Sequence, residues 1–193
     1  MNKTIELPSV ELIQKYINKF DSNNSLVIVE NTLSELFGKY PDNSDLRDVL
    51  IKAAVLNSLY YTNIYAIVKM AEHIVKEKID VELREGSPEL IDKIARIEVN
   101  GKTRNNYSFA SKYCHWHQPE MYPIYDSYVD QLLWAYRNQD RFEEFKQTDL
   151  RYYPRYKEIV ESFRRHYNLT QFSFKELDKF LWGYGREYVG REL

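Results

Sequence analysis

The chain has 193 residues, 44% of them apolar and 15% aromatic, with 27 basic against 29 acidic side chains and a formal net charge of -2. That length supports one hydrophobic core of ordinary size, and a charge near zero argues against a protein that coats nucleic acid non-specifically, because such binding rests on neutralised phosphates, while leaving room for a local basic face. The single cysteine, Cys114, excludes an internal disulfide, a four-cysteine zinc site and a cysteine-ligated iron–sulfur cluster, and it suits a reducing compartment.

No stretch approaches the roughly 18 consecutive apolar residues that a membrane helix needs, and MNKTIELPSVE has no apolar run before a small-residue cleavage site. The expectation is a cytoplasmic protein without a membrane span. Residues 1–100 carry 12 basic against 16 acidic side chains and residues 101–193 carry 15 against 13, an asymmetry no larger than the ordinary scatter of solvated charge. The 17 tyrosines suit half-buried positions with the hydroxyl at a wet edge, although platforms that stack bases use the same side chain.

Taken in chain order, nearly every periodic segment is helical. Ser9 caps a helix with Val10, Ile13, Ile17 and Phe20 on one stripe, and the break falls at 21–25. A second helix spans about 26–37, with Gly38 placed for a left-handed cap and Pro41 beyond it. After Ser44 comes the most apolar stretch, DLRDVLIKAAVLNSLYYTNIYAIVKMAEHIVK, read as a central helix pair interrupted near Tyr61 and Thr62. Ser87 and Pro88 predict a capped helix through Ile94, and Asn100-Gly101 predicts a turn. A helix from about Asn106 to His117 follows, and Pro119 to Pro123 interrupts it. Asp126 caps the next, with Val129, Leu132 and Leu133 inward. Pro154 opens a helix, and Ser173 with Glu176 forms a capping box before the last, over 177–184. Two β-prone pieces, near Val27–Val29 and Ile97–Val99, read as too isolated to form a sheet. The expected fold is a single all-α domain over 1–193, a compact bundle of about nine helices.

Few side-chain groupings suggest chemistry. Cys114, His115 and His117 lie close in sequence, but on a helix His115 points away from the other two, so no metal site is expected. Cys114 reads as a small buried hydrophobe. Six glycines include neither a phosphate loop nor a dinucleotide fingerprint, so no cofactor is expected. Trp116, Trp134 and Trp182 read as core.

The segment FASKYCHWHQPEMYPIYDSYVDQLL, 109–133, stands out. Within it Pro123-Ile124-Tyr125-Asp126-Ser127-Tyr128-Val129 resembles the P-x-D-[ST]-x-[VI] segment carrying the essential aspartate of helix-hairpin-helix DNA glycosylases. The order of helix, short loop and aspartate-capped helix over 106–137 is similar to that superfamily, and the apolar pair after Ser44 resembles its opening helices. A closer likeness is to prokaryotic proteins with an 8-oxoguanine-glycosylase-like fold. The resemblance covers about 44–137.

What the resemblance implies is a DNA-binding protein of glycosylase-like, helix-hairpin-helix fold that excises a damaged or modified base. Breaking an N-glycosidic bond builds positive charge on the sugar, so an ionised carboxylate lowers the barrier; the resemblance assigns this to Asp126. Lys112 is the candidate amine for attack on C1′. Lys102 and Arg104 would hold phosphates, while Asn57, Thr62 and Tyr60 or Tyr61 would stand beside the DNA where a base is flipped out. Two departures accompany it: 100–104 keeps only Gly101 where the family's hairpin has two glycines, and the family's lysine spacing falls nearer Ser108 than Lys112.

A second reading stays open, a non-catalytic module that binds nucleic acid or a protein on the same scaffold. Under it Asp126 is an ordinary helix cap and Lys112 an ordinary helix lysine. The expected discriminator is whether Asp126 and Lys112 share a cleft with Lys102, Arg104, Arg137 or Arg141.

Overall fold

The computed structural model describes residues 5–190 and is all-α. Among the described residues there are ten α-helices, one 3-10 turn and one two-stranded hairpin, in the order α1 (Val10–Asp21), α2 (Asn24–Lys39), α3 (Leu46–Tyr60), α4 (Ile67–Glu77), α5 (Asp80–Glu85), α6 (Leu90–Ala95), β1 (Arg96–Val99), β2 (Lys102–Asn105), α7 (Tyr107–His117), α8 (Ser127–Asp140), a 3-10 turn (Gln147–Arg151), α9 (Tyr153–His166) and α10 (Phe174–Tyr188). No helix among these residues is long and apolar enough to cross a membrane.

Most helix starts follow from local chemistry. The Ser9 hydroxyl accepts from the Leu12 N–H at 3.1 Å, Asp45 caps α3 through the Arg47 N–H at 2.8 Å, and Ser173 and Glu176 form the reciprocal capping box of α10. Pro154 sits in the first turn of α9, where its missing N–H costs nothing.

Three expectations about the elements need correction. Gly38 lies inside α2 without a left-handed backbone, because the Tyr40 N–H still bonds the Leu36 carbonyl and the helix stops only before Pro41. The Ser87 hydroxyl donates to the Glu89 carboxylate instead of capping, and α6 starts at Leu90. Val27–Val29, though β-prone, lies within α2, as the helix read over 26–37 requires. Ile97–Val99 is not isolated: it pairs antiparallel with 102–105 in the register Arg96↔Asn105, Ile97↔Arg104, Glu98↔Thr103, Val99↔Lys102. Asn100 and Gly101 both take positive φ, 52° and 70°, the geometry a two-residue hairpin turn requires. The partner strand, Lys-Thr-Arg-Asn, has no apolar residue, so no periodicity marks it.

The chain divides into two compact units, one made of the chain up to Val27 with Tyr125 onward, the other of Ile28–Ile124. In the first, α10 packs against both α1 and α8, and the 3-10 turn packs on α9 and α8. Its core holds Ile13, Leu132, Tyr136, Phe163 and Phe180, each 0% exposed. In the second, α3 packs against α4 and α7, α6 lies on α7, and β1 rests on α4 and α6. Leu56, Met70, Ile74, Ile91 and Tyr113 fill that core. The three tryptophans read as core are half-buried instead.

Candidate functional site

Within the unit of Ile28–Ile124, three predicted residues come together. Lys112 is 3% exposed, its Nζ donates to the Ser108 hydroxyl at 2.7 Å, and it lies over the Tyr60 ring, 5.3 Å from the centroid. Residues 108 and 112 are one turn apart on α7, so they share a face. The amine of Lys112 therefore ends beside the position that the family spacing indicated, one turn earlier. Lys112 is a buried lysine, not a solvated one.

Asn57 and Thr62 do something else. The Asn57 Oδ1 accepts from the Thr62 hydroxyl at 2.8 Å and the Ile64 N–H at 2.9 Å, while its Nδ2 donates to the Ile64 carbonyl at 3.2 Å. These bonds hold the α3–α4 loop in a conformation with left-handed Tyr61 and Asn63. The loop displays Tyr61 at 82% and Tyr65 at 97% exposure. Asn57 and Thr62 thus shape the loop, and the neighbouring tyrosines meet solvent. Lys102 and Arg104 lie on β2, whose four residues are all exposed.

The network that the sequence reading missed surrounds Lys52, which is 0% exposed. Its Nζ donates to the Tyr40 carbonyl (2.8 Å), the Asp42 carbonyl (2.9 Å) and Asn43 Oδ1 (2.9 Å), and lies 3.2 Å from His117 Nε2. The faces of Phe37 and Tyr113 complete the cage. Asn43 Oδ1 also accepts from the Tyr113 hydroxyl at 2.6 Å, and Asn43 Nδ2 donates to Asp80 at 2.7 Å. A signal was available: Val49, Lys52, Ala53 and Leu56 recur at helical spacing, which puts a lysine in the buried stripe of α3.

Burial brings Lys52 down to about 8. Burial, and then the Lys52 charge, bring His117 down to about 3. A folded value below the unfolded one means that the unfolded chain takes up a proton first as pH falls, so this contribution to stability is lost from about pH 6.5 downward. By pH 4 the wild type is expected to lose about 3 kcal/mol more than His117→Phe, which keeps a ring against Phe37 and removes the titration. Urea midpoints of the two proteins across that range check this; parallel curves would refute it.

In the other unit, Asp126 caps α8: its Oδ1 accepts from the N–H groups of Tyr128 (2.9 Å) and Val129 (3.0 Å). Its second oxygen has no hydrogen bond among the described residues, and the side chain is half-buried. One turn on, Asp130 is 5% exposed and accepts from the Tyr125 hydroxyl and the Gln147 amide, both at 2.8 Å. Burial, then the Asp130 bond, hold the Tyr125 hydroxyl above its ordinary value. Arg137 pairs with Glu144 at 2.9 Å, and Arg141 ends α8 with a left-handed backbone. Eleven residues of helix, about 16 Å, separate Arg137 from Asp126, so the two arginines belong to the opposite end of α8.

Cys114 is fully buried. His115 Nδ1 meets the Tyr122 carbonyl at 2.8 Å, and His117 faces Lys52. Among the described residues no group of three or more His, Cys, Asp or Glu is placed to hold a metal ion.

The HI_0787_N family model, described as an N-terminal domain, matches residues 12–121. A Haemophilus influenzae protein described as an uncharacterized protein is 37% identical over 183 residues, covering 89% of this chain and 88% of that protein. No solved structure matches the chain.

Proposed function

The chain belongs to the HI_0787_N family, and from the resemblance of 123–129 to helix-hairpin-helix DNA glycosylases we propose that this member binds DNA and breaks the N-glycosidic bond of a damaged or modified base, with Lys112 as the attacking amine. The observation that carries this reading is the setting of Lys112: buried at 3% exposure, held by the Ser108 hydroxyl and covered by the Tyr60 ring. The hairpin immediately before its helix carries Lys102 and Arg104, neither of which has an ion-pair partner among the described residues. In the reaction the neutral amine forms a bond to C1′. The bond from C1′ to the base breaks with its electron pair going to the base, which takes the proton released by the new C1′ ammonium; the nitrogen lone pair then opens the C1′–O4′ bond, and O4′ takes the remaining N–H proton, leaving the imine. The resemblance assigns to Asp126 the carboxylate that favours positive charge on the sugar.

The test is single-turnover incubation with duplexes carrying 8-oxoguanine, uracil, an alkylated base or an abasic site, with borohydride added to trap the imine. Wild type is expected to give a trapped adduct, Lys112→Gln none, and Asp126→Asn a rate about 100-fold to 1000-fold lower. Absence of product and adduct across the panel overturns the reading. Binding without chemistry returns the protein to the class of non-catalytic modules.

A further inference from the structure

We infer that the hairpin of Arg96–Asn105 is a β-ribbon that enters the major groove of duplex DNA, a mode of contact that rests on the DNA-binding part of the reading above. The antiparallel register sorts its side chains into two faces, because directly paired residues lie on the same side. Ile97 and Val99 share the inner face with Lys102 and Arg104, and Ile97, at 4% exposure, anchors it to the body of the unit. Arg96, Glu98, Thr103 and Asn105 share the outer face, and all four are exposed.

Those four residue types are the ones that read base edges: Arg bonds guanine, Asn bonds adenine, Glu accepts from cytosine, and Thr serves either. Among the described residues Arg96 makes one ion pair, with Asp92 at 3.5 Å, an exposed i,i+4 pair of little energetic weight that leaves the guanidinium available. Beneath that face, Lys102 and Arg104 lie two residues apart on the edge strand, about 6.8 Å along it, and reach the flanking phosphates.

The dimensions agree. Two strands about 4.8 Å apart, each about 13 Å long, fit a groove about 12 Å wide that admits a two-stranded ribbon. The tip, Asn100-Gly101, has no bulky side chain, and nothing lies within 4 Å of a Cβ built on Gly101. The local charge also suits duplex DNA: the ten hairpin residues hold three cations and one carboxylate in a chain whose net charge is -2.

The test measures fluorescence anisotropy of the full chain with a labelled 25-base-pair DNA duplex, the matching RNA duplex and the single strand, across a potassium chloride series. Duplex DNA is expected to bind at least 10-fold tighter than duplex RNA, whose major groove is too narrow and deep for side chains. Lys102→Gln with Arg104→Gln is expected to weaken binding at least 10-fold and to flatten the dependence of log K on log salt by about 2. Arg96→Gln with Asn105→Ala is expected to leave that slope unchanged while altering which duplexes a randomised pool yields. DNA binding indifferent to both double variants, or equal affinity for the RNA duplex, overturns the ribbon and leaves the glycosylase reading standing. Ribbon-dependent binding without a borohydride adduct keeps the ribbon and removes the chemistry. No binding to any of the three nucleic acids overturns both.

Discussion

Asn43→Ala is expected to destabilise the protein by about 3–5 kcal/mol, from three lost side-chain bonds and a buried hydroxyl left without its acceptor at about 1–3 kcal/mol each. Asn43 is 1% exposed, accepts from Lys52 and Tyr113, and donates to Asp80. Alanine keeps only the backbone bond to Asp80 at 3.2 Å. The Tyr113 hydroxyl, in a residue 0% exposed, then has no water to replace its acceptor. The Lys52 ammonium loses one of its three oxygen acceptors, in a site whose burial already lowers its affinity for protons. The loss appears as a drop in thermal midpoint of about 10 °C for a chain of this size. A cost below about 1 kcal/mol would mean that Asn43 does not join these groups, since an isolated exposed amide contributes about that much.

The second large effect comes from one substitution at two glycines, with opposite signs. A Cβ on Gly185 would lie 2.7 Å from the Tyr128 carbonyl oxygen and 3.0 Å from its carbon, both backbone atoms. No side chain can turn aside to make room, so α8 and α10 must separate. Overpacking of that kind costs about 3 kcal/mol, which the better helix propensity of alanine reduces by about 1, and Gly185→Ala is expected to destabilise by about 2 kcal/mol. Gly38→Ala meets nothing within 4 Å, and its helical backbone suits alanine, so it is expected to stabilise by about 0.5–1 kcal/mol. Denaturant titration of both variants decides the matter, and a shift of the same sign in each would refute the close approach. The contact also bears on the proposed chemistry. The Tyr128 N–H is one of the two that hold Asp126, so a displaced first turn of α8 re-aims that carboxylate, and under the proposed reading excision is expected to slow beyond the loss in stability.

The helices were legible because their signals are local. Ser9, Asp126 and the Ser173–Glu176 pair each satisfy N–H groups within three residues, and such bonds form whatever the rest of the chain does. Gly38 shows the limit: glycine permits a left-handed cap but does not require one, and the hydrogen bond from Tyr40 carries α2 onward. The hairpin was hidden for another reason. Its outer strand has no apolar residue to alternate, and only the positive φ of Asn100 and Gly101 together with the anchorage of Ile97 brings 102–105 alongside 96–99.

The candidate site divides along the same line. One turn of helix sets Ser108 beside Lys112, and a sequence contains that spacing. Asp126 as a cap was likewise readable from its place before a helix. The all-α class, many of the helix starts and the residue types available for chemistry follow from the chain alone, because helical period and capping act over three or four residues. Packing between distant segments is what cages Lys52 with Asn43, His117 and two carbonyls, turns Asn57 onto its own loop, and lays Tyr60 over Lys112. Those outcomes depend on groups brought together from distant positions, where burial sets the strength of each charge and no local pattern records the partner.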